Sequence, residues 1–157
     1  MSRVGLGFDA HAFEADRPLI LGGVTIPDAP GLAGHSDADV VSHAIADALL
    51  GSTGLGDLGE LFPDDDRWKG ASSLEILRLT AQKVTQAGWT IENVDVTIVA
   101  QRPRLASFRS GMVEKIAGSL GAAPTDVSVK ATTTDGMGSI GRAEGIAALA
   151  VVLVNRL

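Results

Sequence analysis

The three histidines of this chain all lie in its first third, and each has a carboxylate within a few positions: His11, His35 and His43. Asp9 and His11 are two residues apart, and on a strand this spacing places both side chains on one face. With His43 they supply one carboxylate and two imidazoles, which is typical of a catalytic zinc site with an open position. Such spacing also arises by chance, so the alternative that both histidines are ordinary interior residues stays open.

The acidic segment 35–43 also has two interpretations. It favours a helix that begins at Ser36, with Asp39 as its capping partner. The amides of such a helix start also suit a phosphate, provided that a cation offsets the nearby carboxylates. His43 lies at the edge of the apolar stripe of this helix, one turn from Asp39 and Asp47. We expect these two carboxylates to orient its ring as a metal ligand.

The segment 130–142 is rich in glycine and threonine and contains the pattern G-x-G-x-x-G at 136–141. A dinucleotide-binding fingerprint needs a following helix and an acidic residue roughly 20 positions further on. A strand is predicted here instead, which excludes that function. The hydroxyls and free amides between Lys130 and Arg142 suit phosphate oxygens. A plain polar connection between two strands is the alternative.

Bulk composition narrows the class of protein. A length of 157 residues predicts one catalytic domain over 1–157. A net charge of -6 without a basic run gives no nucleic-acid footprint. The absence of cysteine excludes disulfides and thiolate metal sites. No signal-peptide pattern and no membrane-spanning stretch is found, so we expect a cytoplasmic protein with neither a membrane nor a nucleic-acid partner.

The periodicity of apolar residues predicts the elements that position these groups. They are a strand over 1–10, a hairpin over 19–26, a helix over 36–51, a loop over 51–71, a helix from the capping box Ser72–Glu75 to Gly88, a strand over 91–100, a helix over 103–121 and strands over 127–131 and 144–154. This order predicts an α+β fold of two layers, with the helices on one face of a mixed sheet. The other sheet face is apolar, so we expect it to meet another subunit.

The chain resembles the 2-C-methyl-D-erythritol 2,4-cyclodiphosphate synthase family. The shared blocks run in family order over nearly the whole chain, at 7–11, 35–43, 56–59, 61–64, 94–98, 100–103, 129–134 and 141–145. The resemblance implies a metal-dependent phosphorus–oxygen lyase of non-mevalonate isoprenoid biosynthesis. Such an enzyme cyclises 4-diphosphocytidyl-2-C-methyl-D-erythritol 2-phosphate and releases CMP. It also implies a homotrimer whose sheets face one another and whose active sites lie between subunits.

The same resemblance implies a role for individual residues. Zn²⁺ would be held by Asp9, His11 and His43, and the transition state stabilised by His35 and Thr133. Asp9, His11 and His35 also count as substrate contacts. Contacts to the methylerythritol side would come from Ser36, Asp57, Gly59, Phe62, Asp64 and Asp66. The cytidine pocket at 100–106 would include Ala100 and Arg104, and the nucleotide end would contact Thr132, Thr133, Thr134, Asp135, Ser139 and Arg142.

Three further expectations accompany this resemblance. A second cation, Mg²⁺ or Mn²⁺, would bridge the substrate phosphates near Asp135, a position where the family often has Glu. Ser139 stands where the family often has Phe, which removes an aromatic wall. The loop 56–71 would close over the substrate and exclude water.

Two other functions share these residues. A metal-dependent phosphohydrolase would use the same ligands but activate water as its nucleophile. A non-catalytic trimeric module would bind nucleotides or small phosphates without turnover.

Overall fold

The computed structural model describes residues 1–157 as one mixed sheet, a separate hairpin and a layer of helices. The strands are β1 (Ser2–Glu14), β2 (Leu19–Leu21), β3 (Val24–Ile26), β4 (Gly31–Leu32), β5 (Trp89–Val99), β6 (Val127–Thr132) and β7 (Gly145–Arg156). The helices are α1 (Val40–Thr53), α2 (Leu58–Leu61), α3 (Ser73–Gln86), α4 (Arg109–Leu120) and α5 (Gly138–Gly141). The main sheet has the order β4-β1-β7-β5-β6, and only its β5–β6 pair is parallel. This is the predicted α+β fold with a mixed sheet.

The helices cover one face of the sheet, as the alternation of residue types predicts. On β7, Ala148, Ala150 and Val152 are buried, whereas Leu149 and Val151 between them are exposed. The strand is therefore apolar on both faces, but within one chain only the face beneath α1 is covered. The other face is left for the subunit contact that the sequence predicts.

Helix α1 packs directly on β1 because two glycines leave room for it. A Cβ atom on Gly7 would collide with the backbone carbonyl of Ala44, and one on Gly5 with that of Ala48. Asp9 and His11 follow these glycines on the same face of the strand. The close approach therefore brings the start of α1 next to both side chains.

The start of α1 differs from its prediction. The helix begins at Val40 rather than at Ser36, because Asp39 is its N-cap and accepts hydrogen bonds from the backbone N–H groups of Val41 and Ser42. The Asp39 carboxylate is fully buried and also accepts the N–H groups of Gly22 and Gly23. One carboxylate thus ties the β2–β3 turn to the helix. The helix continues past Gly51, since Gly54 has the left-handed conformation that ends it.

Other local features also differ from their predictions. Ser72 is the N-cap of α3 but makes no capping hydrogen bond through its side chain, so the predicted capping box is absent. Glu75 pairs with Arg78 instead. Helix α4 begins at Arg109, after a short 3₁₀ turn over Ala106–Phe108, rather than at Pro103. Two segments predicted as loops contain the one-turn helices α2 and α5.

Candidate metal centre and active site

The predicted metal ligands meet where β1 passes beneath the start of α1. Oδ2 of Asp9 lies 2.9 Å from Nε2 of His11 and 3.1 Å from Nδ1 of His43. The three ligand atoms all lie within 4.8 Å of one another. Two imidazole nitrogens and one carboxylate oxygen form a donor set that suits a divalent transition metal. The residues present therefore fit a catalytic metal ion with positions left for a ligand.

The charges of Asp9, His11 and His43 influence one another. Burial alone would raise the pKa of Asp9, but hydrogen bonds from His11 and His43 and their positive charges lower it to about 2. The hydrogen bond to Asp9 is the main cause of a raised pKa for His11, against the opposing effect of burial. Asp9 is consequently ionised at neutral pH, which is the state that binds a cation.

The two imidazoles use different ring nitrogens toward Asp9. His11 also hydrogen-bonds the backbone of Ala33, and this contact helps to raise its pKa. Nε2 of His43 points away from Asp9 and lies 2.8 Å from Oγ of Ser73 and 3.2 Å from Oγ of Ser36. Each ring is therefore held at the nitrogen that does not face the carboxylate.

The predicted orienting partners of His43 are wrong. Asp39 is occupied by the helix cap and the β2–β3 turn. Asp47 accepts the backbone N–H of Leu58 at 3.1 Å and so fastens α2 to α1. The residues that hydrogen-bond its Nε2 are Ser36 and Ser73, which sequence spacing did not indicate.

A cavity of about 250 Å³ opens over the metal ligands. Its wall brings together the following predicted site residues: Asp9, His11, His35, Ser36, His43, Gly59, Phe62 and Asp64. Leu58 and Trp68 complete the side formed by the segment 56–71. This segment therefore lies over the metal ligands, as expected of a loop that covers a substrate.

His35 lies on the cavity wall and is fastened to the same segment. Its Nε2 lies 2.6 Å from the backbone carbonyl of Asp65 and donates to it, and its own carbonyl accepts from the N–H of Gly70 at 2.9 Å. Arg17 holds the neighbouring backbone through the carbonyls of Gly34 and Ser36 at 2.8 and 2.7 Å. His35 is therefore a fixed group beside the metal ligands and not one of them.

A second cavity, of about 280 Å³, is formed where β5 and β6 end. Ala100, Arg104, Thr132 and Thr133 line it. Its lining shares no residue with that of the metal cavity. Within one chain, these four predicted nucleotide contacts and the predicted metal ligands thus lie in two separate cavities.

Comparison with known proteins identifies the family to which this chain belongs. The model of the YgbB family matches residues 2–155. The chain belongs to the YgbB family. This YgbB chain is 55% identical over 154 residues to the 2-C-methyl-D-erythritol 2,4-cyclodiphosphate synthase of Syntrophobacter fumaroxidans, and the match covers 98% of this chain and 97% of that protein.

Other relatives of this YgbB chain are larger or structurally known. The bifunctional enzyme IspD/IspF of Anaeromyxobacter dehalogenans is 54% identical over 153 residues. That match covers 97% of the chain, which spans only 39% of the bifunctional protein's length. The structure of the IspF–CDP complex of Plasmodium falciparum superimposes with a TM-score of 0.87 at 31% identity, covering 99% of this chain and 96% of that one.

The remaining predicted contacts of this YgbB chain lie outside both cavity linings: Asp57, Asp66, Thr134, Asp135, Ser139 and Arg142. Asp57 is the N-cap of α2 and accepts the N–H of Glu60 at 3.0 Å. Oγ1 of Thr134 donates to the carbonyl of Met137 at 2.6 Å. Asp135 donates its N–H to Oγ1 of Thr133 at 3.1 Å, which places its exposed carboxylate next to the second cavity.

The two cations that bracket the segment 130–142 are both paired within the chain. Nζ of Lys130 lies 2.7 Å from Asp95, and this contact is the main cause of a lowered pKa for that carboxyl. Nε of Arg142 lies 2.6 Å from Glu144. All four side chains are exposed, so either ion pair can be broken at little cost in free energy when a phosphate binds.

Trp68 is a residue of the site that sequence reasoning missed. Its ring packs edge-on against Phe62 with centroids 4.8 Å apart, and its Nε1 is buried without a hydrogen-bond partner. Buried indole N–H groups usually have a partner. The sequence did carry a signal for Trp68, because its neighbours at 64–67 are all charged and offer a tryptophan no hydrophobic core.

No helix of this YgbB chain has both the length and the apolar character needed to cross a membrane.

Proposed function

We propose that this chain, as a single catalytic domain over 1–157, is a 2-C-methyl-D-erythritol 2,4-cyclodiphosphate synthase. The observation that carries the proposal is the cluster of Asp9, His11 and His43, whose ligand atoms lie within 4.8 Å of one another beside His35 and beneath the segment 56–71. The substrate is 4-diphosphocytidyl-2-C-methyl-D-erythritol 2-phosphate. The product belongs to isoprenoid precursor biosynthesis.

The reaction needs no nucleophile from the protein. An oxygen of the substrate's 2-phosphate bonds to the β-phosphorus, and the bond from that phosphorus to the CMP oxygen breaks. CMP leaves with the electron pair, so atoms and charge balance without water. Both reacting groups belong to one molecule, and the protein's task is to bend that molecule and offset its charge.

Asp9, His11 and His43 would hold a zinc ion, which supplies Lewis-acid polarisation of a phosphate oxygen when it is bound. A magnesium or manganese ion bridging the phosphates near Asp135 would offset further charge. The exposure of the Asp135 carboxylate next to the second cavity supports this second position. Asp135 stands one methylene short of the usual Glu, so it reaches less far toward the phosphates.

His35 and Thr133 are our candidates for stabilising the transition state. His35 lies on the wall of the metal cavity, and its Nε2–H, which bonds the Asp65 carbonyl in the free chain, would be redirected to a phosphate oxygen on which charge develops. Thr133 lines the other cavity and accepts the N–H of Asp135. Its hydroxyl also donates to Oδ1 of Asp135 at 3.4 Å, and this long bond would be exchanged for one to a phosphate oxygen.

The methylerythritol end fits the metal cavity. Its wall combines the apolar Leu58 and Phe62 with the polar Ser36 and Asp64, which suits a small branched polyol. The unpartnered indole N–H of Trp68 would donate to an oxygen of this polyol. That bond would remove the cost of leaving a buried donor unpaired.

The cytidine end fits the second cavity. Ala100, Arg104 and Thr132 line it, and Gln101, which also lines it, accepts the N–H of Gly136 at 3.1 Å and so ties the segment 130–142 to the cavity. The Plasmodium falciparum relative is named as a CDP complex. Thr134, Ser139 and Arg142 lie on the adjoining segment and would contact the nucleotide's phosphates.

A homotrimer would join the two cavities. Val4, Leu6 and Phe8 of β1 are exposed on the sheet face opposite the helices, at 67%, 67% and 59%. The register pairs Leu6 with Val151 and Phe8 with Leu149, so the exposed side chains form one continuous apolar surface. A surface of this kind fits the packing of sheet against sheet between copies of the chain. The metal cavity of one copy would then meet the nucleotide cavity of its neighbour.

The test is incubation of the purified protein with the diphosphocytidyl substrate and divalent metal, followed by product analysis. We expect CMP and the cyclic diphosphate in equal amounts, and a mass in solution of three chains. A linear phosphorylated product would instead identify a phosphohydrolase. Binding without turnover would identify a nucleotide-binding module, and either result would refute the synthase.

A further inference from the structure

A short chain of hydrogen bonds leads away from the metal ligand His43. Its Nε2 lies 2.8 Å from Oγ of Ser73, and that hydroxyl makes a very short hydrogen bond to Oδ1 of Asp37. The other carboxylate oxygen of Asp37 accepts the backbone N–H of Ser73 at 3.0 Å. Ser73 is completely buried and is the first residue of α3.

The chemistry of these groups fixes where the protons lie. A carboxylate at neutral pH only accepts hydrogen bonds, so the Ser73 hydroxyl must donate to Asp37. Its oxygen is then free to accept, and the group that faces it is Nε2 of His43. Nε2 therefore carries a proton. In a neutral imidazole the other nitrogen, Nδ1, then has a free lone pair.

Nδ1 is the nitrogen that faces Asp9, at 3.1 Å from its Oδ2, and a bound metal ion would replace any proton shared between them. We propose that Ser73 and Asp37 are positioning residues, which hold His43 in the Nε2-protonated tautomer with Nδ1 free to bind the metal. The inference rests on the metal site of the proposed function. Neither residue belongs to the ligand set or to the lining of the metal cavity.

Ser36 does not replace Ser73 in this role. Its hydroxyl lies 3.2 Å from Nε2 of His43, the longer of the two distances, and accepts the N–H of Ala38 at 3.2 Å. No carboxylate contacts this hydroxyl, whose other neighbour is Oγ of Ser73 at 3.4 Å, so its proton is directed less firmly than that of Ser73. It can donate to His43 as readily as it accepts, and a donor there would select the tautomer that cannot bind metal through Nδ1.

Zinc affinity of the full chain, measured by competition with a chromogenic chelator, tests this role. We expect Ser73→Ala to weaken zinc binding about 10- to 100-fold, as for other groups that orient metal-bound histidines. Asp37→Ala should weaken it similarly, because the Ser73 hydroxyl loses the acceptor that directs it. If the two residues act as one unit, the double variant will bind zinc no more than about threefold more weakly than Ser73→Ala.

Ser42→Ala is the matched control. Ser42 is also a buried serine near the start of α1, and its hydroxyl donates to the carboxylate of Asp39 at 2.9 Å. It precedes His43 in the chain but makes no hydrogen bond to the imidazole. This variant loses an equivalent hydroxyl–carboxylate bond, so we expect lower thermal stability with zinc affinity within about threefold of the parent.

Visible spectra of the cobalt-loaded proteins provide a second measurement. We expect Ser73→Ala to change the ligand-field bands and Ser42→Ala to leave them as in the parent. Zinc affinity of Ser73→Ala within threefold of the parent would overturn the positioning role, as would losses that multiply in the double variant. Thermal unfolding of each metal-free variant checks that it is folded.

The outcome separates this inference from the proposed function. A parent protein that binds zinc and forms the cyclic product, with a Ser73→Ala variant that binds zinc equally well, would refute only the positioning role. A parent that binds no zinc would refute the metal site and this role together.

Discussion

Nδ1 of His43 lies 3.1 Å from Oδ2 of Asp9, although the two residues are 34 positions apart and belong to a helix and a strand. This contact joins the two elements at the point where a metal ion would bind. It depends on the close packing of α1 on β1 and on the hydrogen bonds that turn the His43 ring. Changes to the ligands, to their protonation and to the packing should therefore have separable effects.

Replacement of His43 and of His35 by alanine should separate metal binding from turnover. We expect His43→Ala to lose both zinc and activity, because it removes one of three ligands. His35→Ala should keep one zinc per chain but lose about 10²- to 10³-fold in kcat, as expected for a transition-state donor. Elemental analysis and CMP release measure the two effects. Full zinc content in His43→Ala would refute the ligand assignment.

The stability of the metal-free protein should depend on pH through Asp9 and His11. The pKa of Asp9 falls from 3.8 to about 2 on folding, so its contribution is present above pH 3.8 and is lost as pH falls toward 2. The pKa of His11 is raised above 6.5, so its contribution is present below pH 6.5 and is lost as pH rises through the raised value. The contribution of the pair should thus be largest between these limits.

Urea unfolding in EDTA at a series of pH values measures this dependence. We expect the Asp9 contribution to be on the order of 1–2 kcal/mol after solvent screening. Asp9→Asn cannot ionise, so its free energy of unfolding should change less with pH both in the acidic limb and in the limb above pH 6.5. An unchanged pH profile in Asp9→Asn would show that the pair does not couple as described.

Gly7→Ala should damage the metal site without touching a ligand. The new methyl group would collide with the carbonyl of Ala44 and push α1 away from β1. We expect a loss on the order of 1–3 kcal/mol in the free energy of unfolding, together with weaker zinc binding. Gly51→Ala is the control within the same helix, since a Cβ there meets nothing within 4 Å. It should be neutral or stabilising by about 1 kcal/mol.

Trp68→Phe tests whether the buried indole N–H binds substrate. Phenylalanine keeps a ring that packs against Phe62 but removes the unpartnered donor. We expect KM to rise about tenfold, the equivalent of one hydrogen bond, with little change in kcat. The free protein should be equally stable or more stable. A KM equal to that of the parent would exclude the donor role.

The sequence was sufficient to predict the α+β class, the hairpin at Gly22–Gly23 and the three metal-ligand candidates. These depend on local rules: the alternation of apolar residues along a strand, the helical period, and the chemistry of imidazole and carboxylate groups. Helix ends were predicted less well. Asp39 looked like a partner for a cap at Ser36, but burial beside the β2–β3 turn makes it the cap itself.

Only the tertiary structure identified the partners of His43. Spacing along a helix favoured Asp39 and Asp47, which are one turn away, because sequence periodicity describes neighbours on the same element alone. Ser73 reaches the ring from another helix, 30 positions further along the chain. Likewise, the residue types along the sequence indicated the groups that we propose bind metal and nucleotide. Their separation into two cavities follows from the packing of distant elements, which no local pattern records.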